Sequence, residues 1–208
     1  MREELRIERK NKLLQAAARV FSEKGYAGTT ISDVAARAGM GKGTVYGYFS
    51  SKEELFFDLF FWYAREVMAG VSLDLLSGEE SVKDSFLKFT QELVERMLLS
   101  IDMYPLTLEF WSAAASGGLR DRMKNAMAEM YDEYRGLIAG VIHHGIERKE
   151  FRPETNVQAL SAGIMGALDA LGLQYWMNPD FDIKAAATET VSAILTGISF
   201  SSEFPNKG

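Results

Sequence analysis

The side chains of this sequence whose types and spacing suit chemistry are concentrated between residues 30 and 52. This segment holds a lysine at each of two predicted helix starts, together with hydroxyl and phenol groups, namely Thr30, Lys42, Thr44, Tyr46, Tyr48 and Lys52. Ammonium, hydroxyl and phenol groups all donate hydrogen bonds that phosphate oxygens accept. Gly43 adds a position without Cβ, where another backbone can approach closely. The segment therefore predicts a surface that binds phosphate.

The residues around these groups predict the elements that position them. Thr30 opens a capping box before a short helix with apolar residues at helical spacing. Ala35 in that helix is small enough for two helices to cross closely, and Gly39, four residues later, suits a turn that needs positive φ. A second short helix then begins near Lys42. The pattern predicts a helix-turn-helix whose second helix reaches into a DNA major groove.

Charge is distributed unevenly along the chain. Residues 1–52 carry ten Lys and Arg against five Asp and Glu, a net charge of +5, whereas residues 53–208 carry thirteen against twenty-four, a net charge of −11. The cations of the leading arm, Arg6, Arg9, Lys10 and Lys12, are expected either to contact phosphate or simply to be solvated. A basic head on an acidic body predicts that one end approaches a polyanion.

Composition excludes several other classes of protein. An apolar fraction of 47% is too high for wholesale disorder, and the absence of cysteine excludes disulfides, thiolate nucleophiles, iron–sulfur ligation and zinc sites that need sulfur. The first residues are charged where a signal peptide would be apolar, and the most apolar stretch, 159–177, contains Asp169 and falls short of a membrane span. We expect a cytoplasmic protein with no membrane partner.

Enzymatic motifs fail on inspection. The string from Gly39 to Thr44 superficially suggests a phosphate-binding loop, but Lys42 is followed by glycine and a helix precedes it instead of a strand. His143 and His144 are the only histidines, and adjacent helical residues point about 100° apart, which prevents chelation of one metal. No catalytic residues, metal or cofactor are therefore expected.

Helical periodicity extends through the whole sequence, which predicts an all-α fold. After a head of three helices, a fourth helix runs from a capping box at Ser51 to about Gly70. Further helices are expected at 81–100, 104–115, 119–148, 155–177 and 182–198. We expect two domains, an N-terminal helix-turn-helix domain over 1–52 and a larger helical ligand-binding and dimerisation domain over 53–208.

Four segments of the head resemble the DNA-binding domain of the tetracycline-repressor (TetR/AcrR) family; they are Gly25–Gly39, Lys42–Tyr46, Tyr48–Phe49 and Ser51–Leu55. This resemblance implies a homodimeric transcriptional regulator that binds a pseudo-palindromic double-stranded DNA operator and releases it when a small effector binds. It implies that the residues facing DNA are Thr30, Lys42, Gly43, Thr44, Tyr46, Tyr48 and Lys52. Two positions depart from the family pattern, because residues 41 and 47 are glycines where relatives carry larger side chains.

The body offers candidates for an effector pocket and a dimer face. Adaptable aromatic and Met side chains with two carboxylates suggest a largely apolar pocket, with core packing as the alternative interpretation; they are Phe89, Met103, Tyr104, Glu109, Trp111, Tyr131, Tyr134, Met165 and Asp169. Small residues recur on the last two helices, and family analogy makes them the dimer face, with close packing inside one subunit as the alternative; they are Ala162, Gly166, Ala170, Ala186, Ala193 and Gly197.

Three functions therefore remain open from the sequence. The leading one is a homodimeric, ligand-responsive regulator, most simply a repressor. The second is a DNA-binding regulator without a small-molecule effector, controlled by a protein partner or by its own concentration. The third is a helical enzyme or carrier that has kept a vestigial head.

Overall fold

The computed structural model describes residues 2–68 and 80–200. Over these ranges the chain forms nine α-helices and one short 3-10 helix, with no strand beyond an isolated bridge between Phe151 and Ser199. The all-α prediction is confirmed. The expected end of the fourth helix near Gly70 lies outside the described residues. The helices are α1 (Arg2–Gly28), α2 (Ile31–Ala38), α3 (Lys42–Tyr46), α4 (Lys52–Met68), α5 (Val82–Leu99), α6 (Tyr104–Ala115), α7 (Arg120–Glu147), α8 (Val157–Met177) and α9 (Ile183–Ile198), with the 3-10 turn at Ile101–Met103.

The helices form two compact units. The first unit comprises α1 to α4, the 3-10 turn, α6 and the start of α7, and the second comprises α5, the rest of α7, α8 and α9. The expected domain ranges, 1–52 and 53–208, stay a prediction. None of the helices in the described ranges is long and apolar enough to cross a bilayer.

An aromatic core holds the first unit together. Phe21 of α1 and Phe56 of α4 are fully buried, with ring centroids 5.1 Å apart, and the Tyr26 ring lies 4.7 Å from that of Phe56. From α6, Phe110 packs 5.0 Å from Phe56 and 5.2 Å from Phe60. Because large aromatic rings contribute much buried apolar area, this cluster fixes α6 against α1 and α4.

The second unit is built on α5, α8 and α9. Val94 of α5 packs with Ile183 and Ala187 of α9, and Leu168 of α8 lies against them. The chain segment that connects α7 to α8 packs closely on α7, because a Cβ placed on residue 145 would clash with the ring of the buried Phe151. Glycine at position 145 therefore leaves room for that ring.

Candidate nucleic-acid interface

The start of α2 is fixed by a complete capping box. The Asp33 N–H donates to Thr30 Oγ1 over 3.2 Å, while the Thr30 N–H donates to Asp33 Oδ2 over 2.9 Å. Lys24 Nζ lies 2.7 Å from Asp33 Oδ1. The hydrogen bond from Lys24, followed by those from Thr30, holds the pKa of the Asp33 carboxyl well below its usual value. Thr30 itself is exposed at this amide end, where helix geometry favours an anion.

The turn between α2 and α3 follows the predicted helix-turn-helix. Gly39 adopts φ 67°, in the left-handed region, and its N–H donates to the carbonyls of α2. The Met40 N–H donates to the Ala35 carbonyl over 2.9 Å, which closes the turn. Ala35 and Val45 are buried and bring the two helices together. The predicted helix-turn-helix is confirmed.

The short helix α3 turns one face inward and presents the other. Val45 is 0% exposed, whereas Tyr46 is 49% exposed and Lys42 and Gly43 are also exposed. Lys42 Nζ lies 5.9 Å from the centroid of the Tyr46 ring, so a cation and a phenol stand side by side. Thr44 is half-buried beside them. The outward face combines an ammonium, a phenol and a bare glycine backbone, which are groups suited to a DNA groove and its phosphates.

The two glycines that depart from the family pattern lie at the two ends of α3. Gly41 occupies the N-cap with φ −72° and ψ 148°, and no side chain caps the helix there. The Gly47 N–H donates to the carbonyls of Gly43 and Thr44, both over 3.1 Å. Beyond it, Tyr48 is half-buried, with its ring 6.3 Å from that of Phe49.

Lys52 has internal partners that sequence reasoning missed. Its ammonium group donates to the Tyr26 carbonyl over 2.9 Å and to the Thr29 carbonyl over 3.1 Å, and it lies 4.3 Å from the centroid of the Tyr26 ring. Two of its three protons are therefore used to hold the corner between α1 and α2. The partners lie 26 and 23 residues earlier in the chain, so no local pattern could have signalled them.

The leading arm is helical from Arg2 and forms the first part of α1. Arg6, Arg9 and Lys12 are exposed on it. Lys10 differs from them, because its Nζ lies 2.8 Å from Asp58 Oδ2 and 5.7 Å from the centroid of the Phe49 ring. Lys10 therefore fastens α1 to α4 and to the residues that follow α3.

The residues predicted for the effector pocket belong to both units. In the first unit, Met103 is buried, Tyr104 and Glu109 are half-buried and Trp111 is exposed. The Glu109 carboxylate accepts the Tyr26 N–H over 3.0 Å, another contact that sequence reasoning missed.

In the second unit Phe89 is buried, Met165 is half-buried, and three polar groups are brought together. The Tyr131 hydroxyl donates to the Asp169 carboxylate. Desolvation around the carboxyl of Asp169 raises its pKa even though part of the residue is exposed, and the Tyr131 hydrogen bond opposes that rise. Burial, together with the carboxylates of Glu133 and Asp169, raises the pKa of Tyr134 to about 12.

The predicted dimer residues lie on the outer faces of α8 and α9. Five of the six are exposed, namely Ala162, Gly166, Ala170, Ala193 and Gly197, and Ala186 is half-buried. A Cβ added to Gly166 or Gly197 would meet nothing within 4 Å. The buried positions of the two helices are other residues, both large ones such as Ile164 and Val191 and small ones such as Gly172 and Ala187. Apart from Ala186, the stripe of small residues is thus left uncovered by the described part of the chain.

Comparisons with known proteins agree with this arrangement. The model of a family described as "Bacterial regulatory proteins, tetR family" matches residues 13–59. The uncharacterized HTH-type transcriptional regulator YhgD of Bacillus subtilis is 30% identical over 151 residues, which cover 71% of this chain and 74% of that protein. The fatty acid metabolism regulator protein of Bacillus subtilis is 25% identical over 190 residues, covering 89% of this chain and 93% of the relative.

A solved structure shares the fold. The transcriptional regulator FadR from Bacillus subtilis, in complex with stearoyl-CoA, matches with a TM-score of 0.70 at 22% identity, covering 88% of this chain and 96% of that one.

The family match falls on the segment that forms the capped helix, the tight turn and the outward face of α3. The chain therefore belongs to the tetR family of bacterial regulatory proteins and is a DNA-binding transcriptional regulator.

Proposed function

We propose that this protein is a homodimeric repressor that binds a pseudo-palindromic operator and releases it when a small, largely apolar effector binds. The observation that carries the proposal is the outward face of α3, where Lys42, Gly43 and Tyr46 are exposed over the buried Val45. Phosphate contacts position such a helix, and base edges supply its specificity. In this proposal the protein acts in the cytoplasm and catalyses no reaction.

The exposed stripe on α8 and α9 supports the homodimer. Small residues such as Gly166 and Gly197 let helices approach closely, and on this chain they lie uncovered. Trp176 and Met177 are exposed at the end of α8, at 38% and 62%. If these faces of two protein copies paired, α8 and α9 of each copy would form a four-helix interface. The resulting dimer would carry two recognition helices, one α3 from each copy. Recognition helices in such dimers bind half-sites about one DNA turn apart, which demands a pseudo-palindrome.

The chemistry of the body supports an effector with a long apolar part. Met and aromatic side chains adapt to varied apolar ligands, and several of the predicted pocket residues are of these types. The stearoyl-CoA bound to FadR is a long acyl chain on a polar carrier, which makes an acyl thioester a specific candidate to test. Differential affinity for two head geometries is what would let such a ligand release DNA.

The test measures binding of the full-length protein to the DNA upstream of its own gene by fluorescence anisotropy, with light scattering to give the mass. We expect a dimer that binds this DNA, and a Lys42→Ala, Tyr46→Ala double variant that keeps the dimer mass but loses binding. The same assay with stearoyl-CoA, stearate and coenzyme A separates the acyl chain from its carrier. DNA binding that no such ligand releases would favour a regulator without a small-molecule effector. Absence of DNA binding even at low salt would refute the proposal.

A further inference from the structure

The backbone of Tyr26, at the corner between α1 and α2, is held from two sides. Its N–H donates to Glu109 Oε2 of α6 over 3.0 Å. Its carbonyl accepts from Lys52 Nζ of α4 over 2.9 Å, and the same ammonium reaches the Thr29 carbonyl. One residue of the corner is thus tied to α6 through its donor and to α4 through its acceptor.

The fit of Glu109 against this corner is tight. Gly25 has φ 71° and ψ 169°, so the helix α1 is interrupted there and the chain turns. A Cβ on residue 25 would lie 2.8 Å from Glu109 Oε1. One carboxylate oxygen therefore occupies the space beside Gly25 while the other accepts from the next residue. This contact joins residues that are 83 positions apart in the sequence.

The corner leads directly into the DNA-binding elements. Thr30, which caps α2, follows Tyr26 by four residues, and α2 leads through the Gly39 turn into α3. The ring of Tyr26 also lies 4.7 Å from Phe56, which packs 5.0 Å from Phe110, the neighbour of Glu109. A polar contact and an adjacent aromatic one therefore both join α6 to the corner that leads into the helix-turn-helix.

We propose that Glu109 is a positioning residue for operator binding, which holds the α1–α2 corner in the geometry that binds DNA without touching DNA itself. Removal of its carboxylate lowers the fraction of protein in that geometry, and the apparent affinity for DNA falls by the same factor. The contacts made in the bound state do not change. The dependence of affinity on salt is therefore conserved, because it reports the number of phosphates neutralised.

The charge of Glu109 makes the proposal easy to separate from simple electrostatics. A carboxylate repels a polyanion, so its removal by itself would strengthen DNA binding. Positioning predicts the opposite sign for Glu109→Ala. Glu109→Gln keeps an oxygen that accepts the Tyr26 N–H, whereas Glu109→Asp keeps the charge but withdraws the carboxylate from that N–H by one methylene. Glu66→Ala is the matched control, because Glu66 is an exposed carboxylate on α4 of the same unit.

The experiment measures the affinity of full-length variants for the DNA upstream of the gene at several salt concentrations, with thermal unfolding of each variant. We expect Glu109→Ala to bind about tenfold more weakly than wild type, with an unchanged salt slope, because one hydrogen bond to a charged group no longer biases the corner. Glu109→Asp should lose affinity in the same direction, which keeps the test valid if the alanine variant does not fold. Glu109→Gln should stay within about twofold of wild type, and Glu66→Ala should bind at least as tightly as wild type.

Two results would overturn the positioning role. In the first, Glu109→Ala and Glu109→Asp fold and bind DNA as tightly as wild type or more tightly, and only their melting temperatures are lower. This result would mean that the contact serves stability alone. The other is an equal gain in affinity for the alanine and glutamine variants, which would mean that charge alone matters. If wild-type protein itself binds no DNA, the regulatory function fails together with this inference, whereas the first two results leave that function intact.

Discussion

Replacement of Lys42 by alanine gives a quantitative test of where α3 lies on DNA. Lys42 is exposed at the first position of α3, and its ammonium group stands beside the ring of Tyr46. In the proposed dimer two such lysines each neutralise one phosphate. The slope of log affinity against log salt changes by about 0.9 for each phosphate neutralised, so the double loss should reduce it by about 1.8. Over a fourfold rise in salt this reduction corresponds to about a twelvefold smaller fall in affinity for the variant than for wild type.

The assay is anisotropy of labelled operator DNA in a salt series from about 50 to about 200 mM. Lys88→Ala is the control, because Lys88 is an exposed lysine on α5 that pairs with Glu80. The substitution removes the same charge as Lys42→Ala, but from a helix that is not part of the candidate DNA-binding surface. Its plot should remain parallel to that of wild type. A Lys42→Ala plot that is also parallel to wild type would refute the placement of this ammonium at a phosphate, whatever the size of the loss in affinity.

Three predictions concern stability. Gly145→Ala should destabilise the protein by about 1–3 kcal/mol because the new methyl group meets the Phe151 ring. Gly140→Ala on the same helix has open space and should stabilise the protein by about 0.4–1 kcal/mol. Urea unfolding of both variants measures these opposite changes in the free energy of unfolding. Thr30→Ala removes the N-cap of α2 and should cost about 1 kcal/mol in the same assay, with Thr30→Ser close to wild type. The pKa of Asp33 is lower in the folded state, so the stability that its carboxylate contributes is complete well above the usual pKa of 3.8 and is lost as pH falls below that value towards the folded pKa. The stability of Asp33→Asn should therefore fall less than that of wild type between pH 5 and pH 3. Parallel stability profiles of the two proteins would contradict this.

The local parts of the fold and of the interface could be predicted from the sequence. The predicted ranges 104–115 and 182–198 agree with the observed helices to within one residue at each end, because breakers and caps act on neighbours within about four positions. The capping box at Thr30 and the left-handed turn at Gly39 are local in the same way. Burial of Val45 and exposure of Tyr46 follow from helical periodicity once the helix is placed.

Contacts between distant residues were decided only by tertiary structure. Lys52 has the side-chain charge and the helix-start position expected of a phosphate ligand, yet packing brings its ammonium group to the Tyr26 and Thr29 carbonyls. Glu109 was a candidate for the effector pocket, and the fold places it on the Tyr26 N–H.

The stripe of small residues on α8 and α9 shows the same limit. The periodicity that identifies such a stripe is the same whether it packs inside a subunit or lies on the surface, and the structure places it on the surface. Sequence by itself determined the helices, their caps and the helix-turn-helix, because these depend on neighbouring residues. Only the tertiary structure decided which polar groups are already paired and which faces stay uncovered, because that depends on residues that are far apart in the chain and meet only on folding.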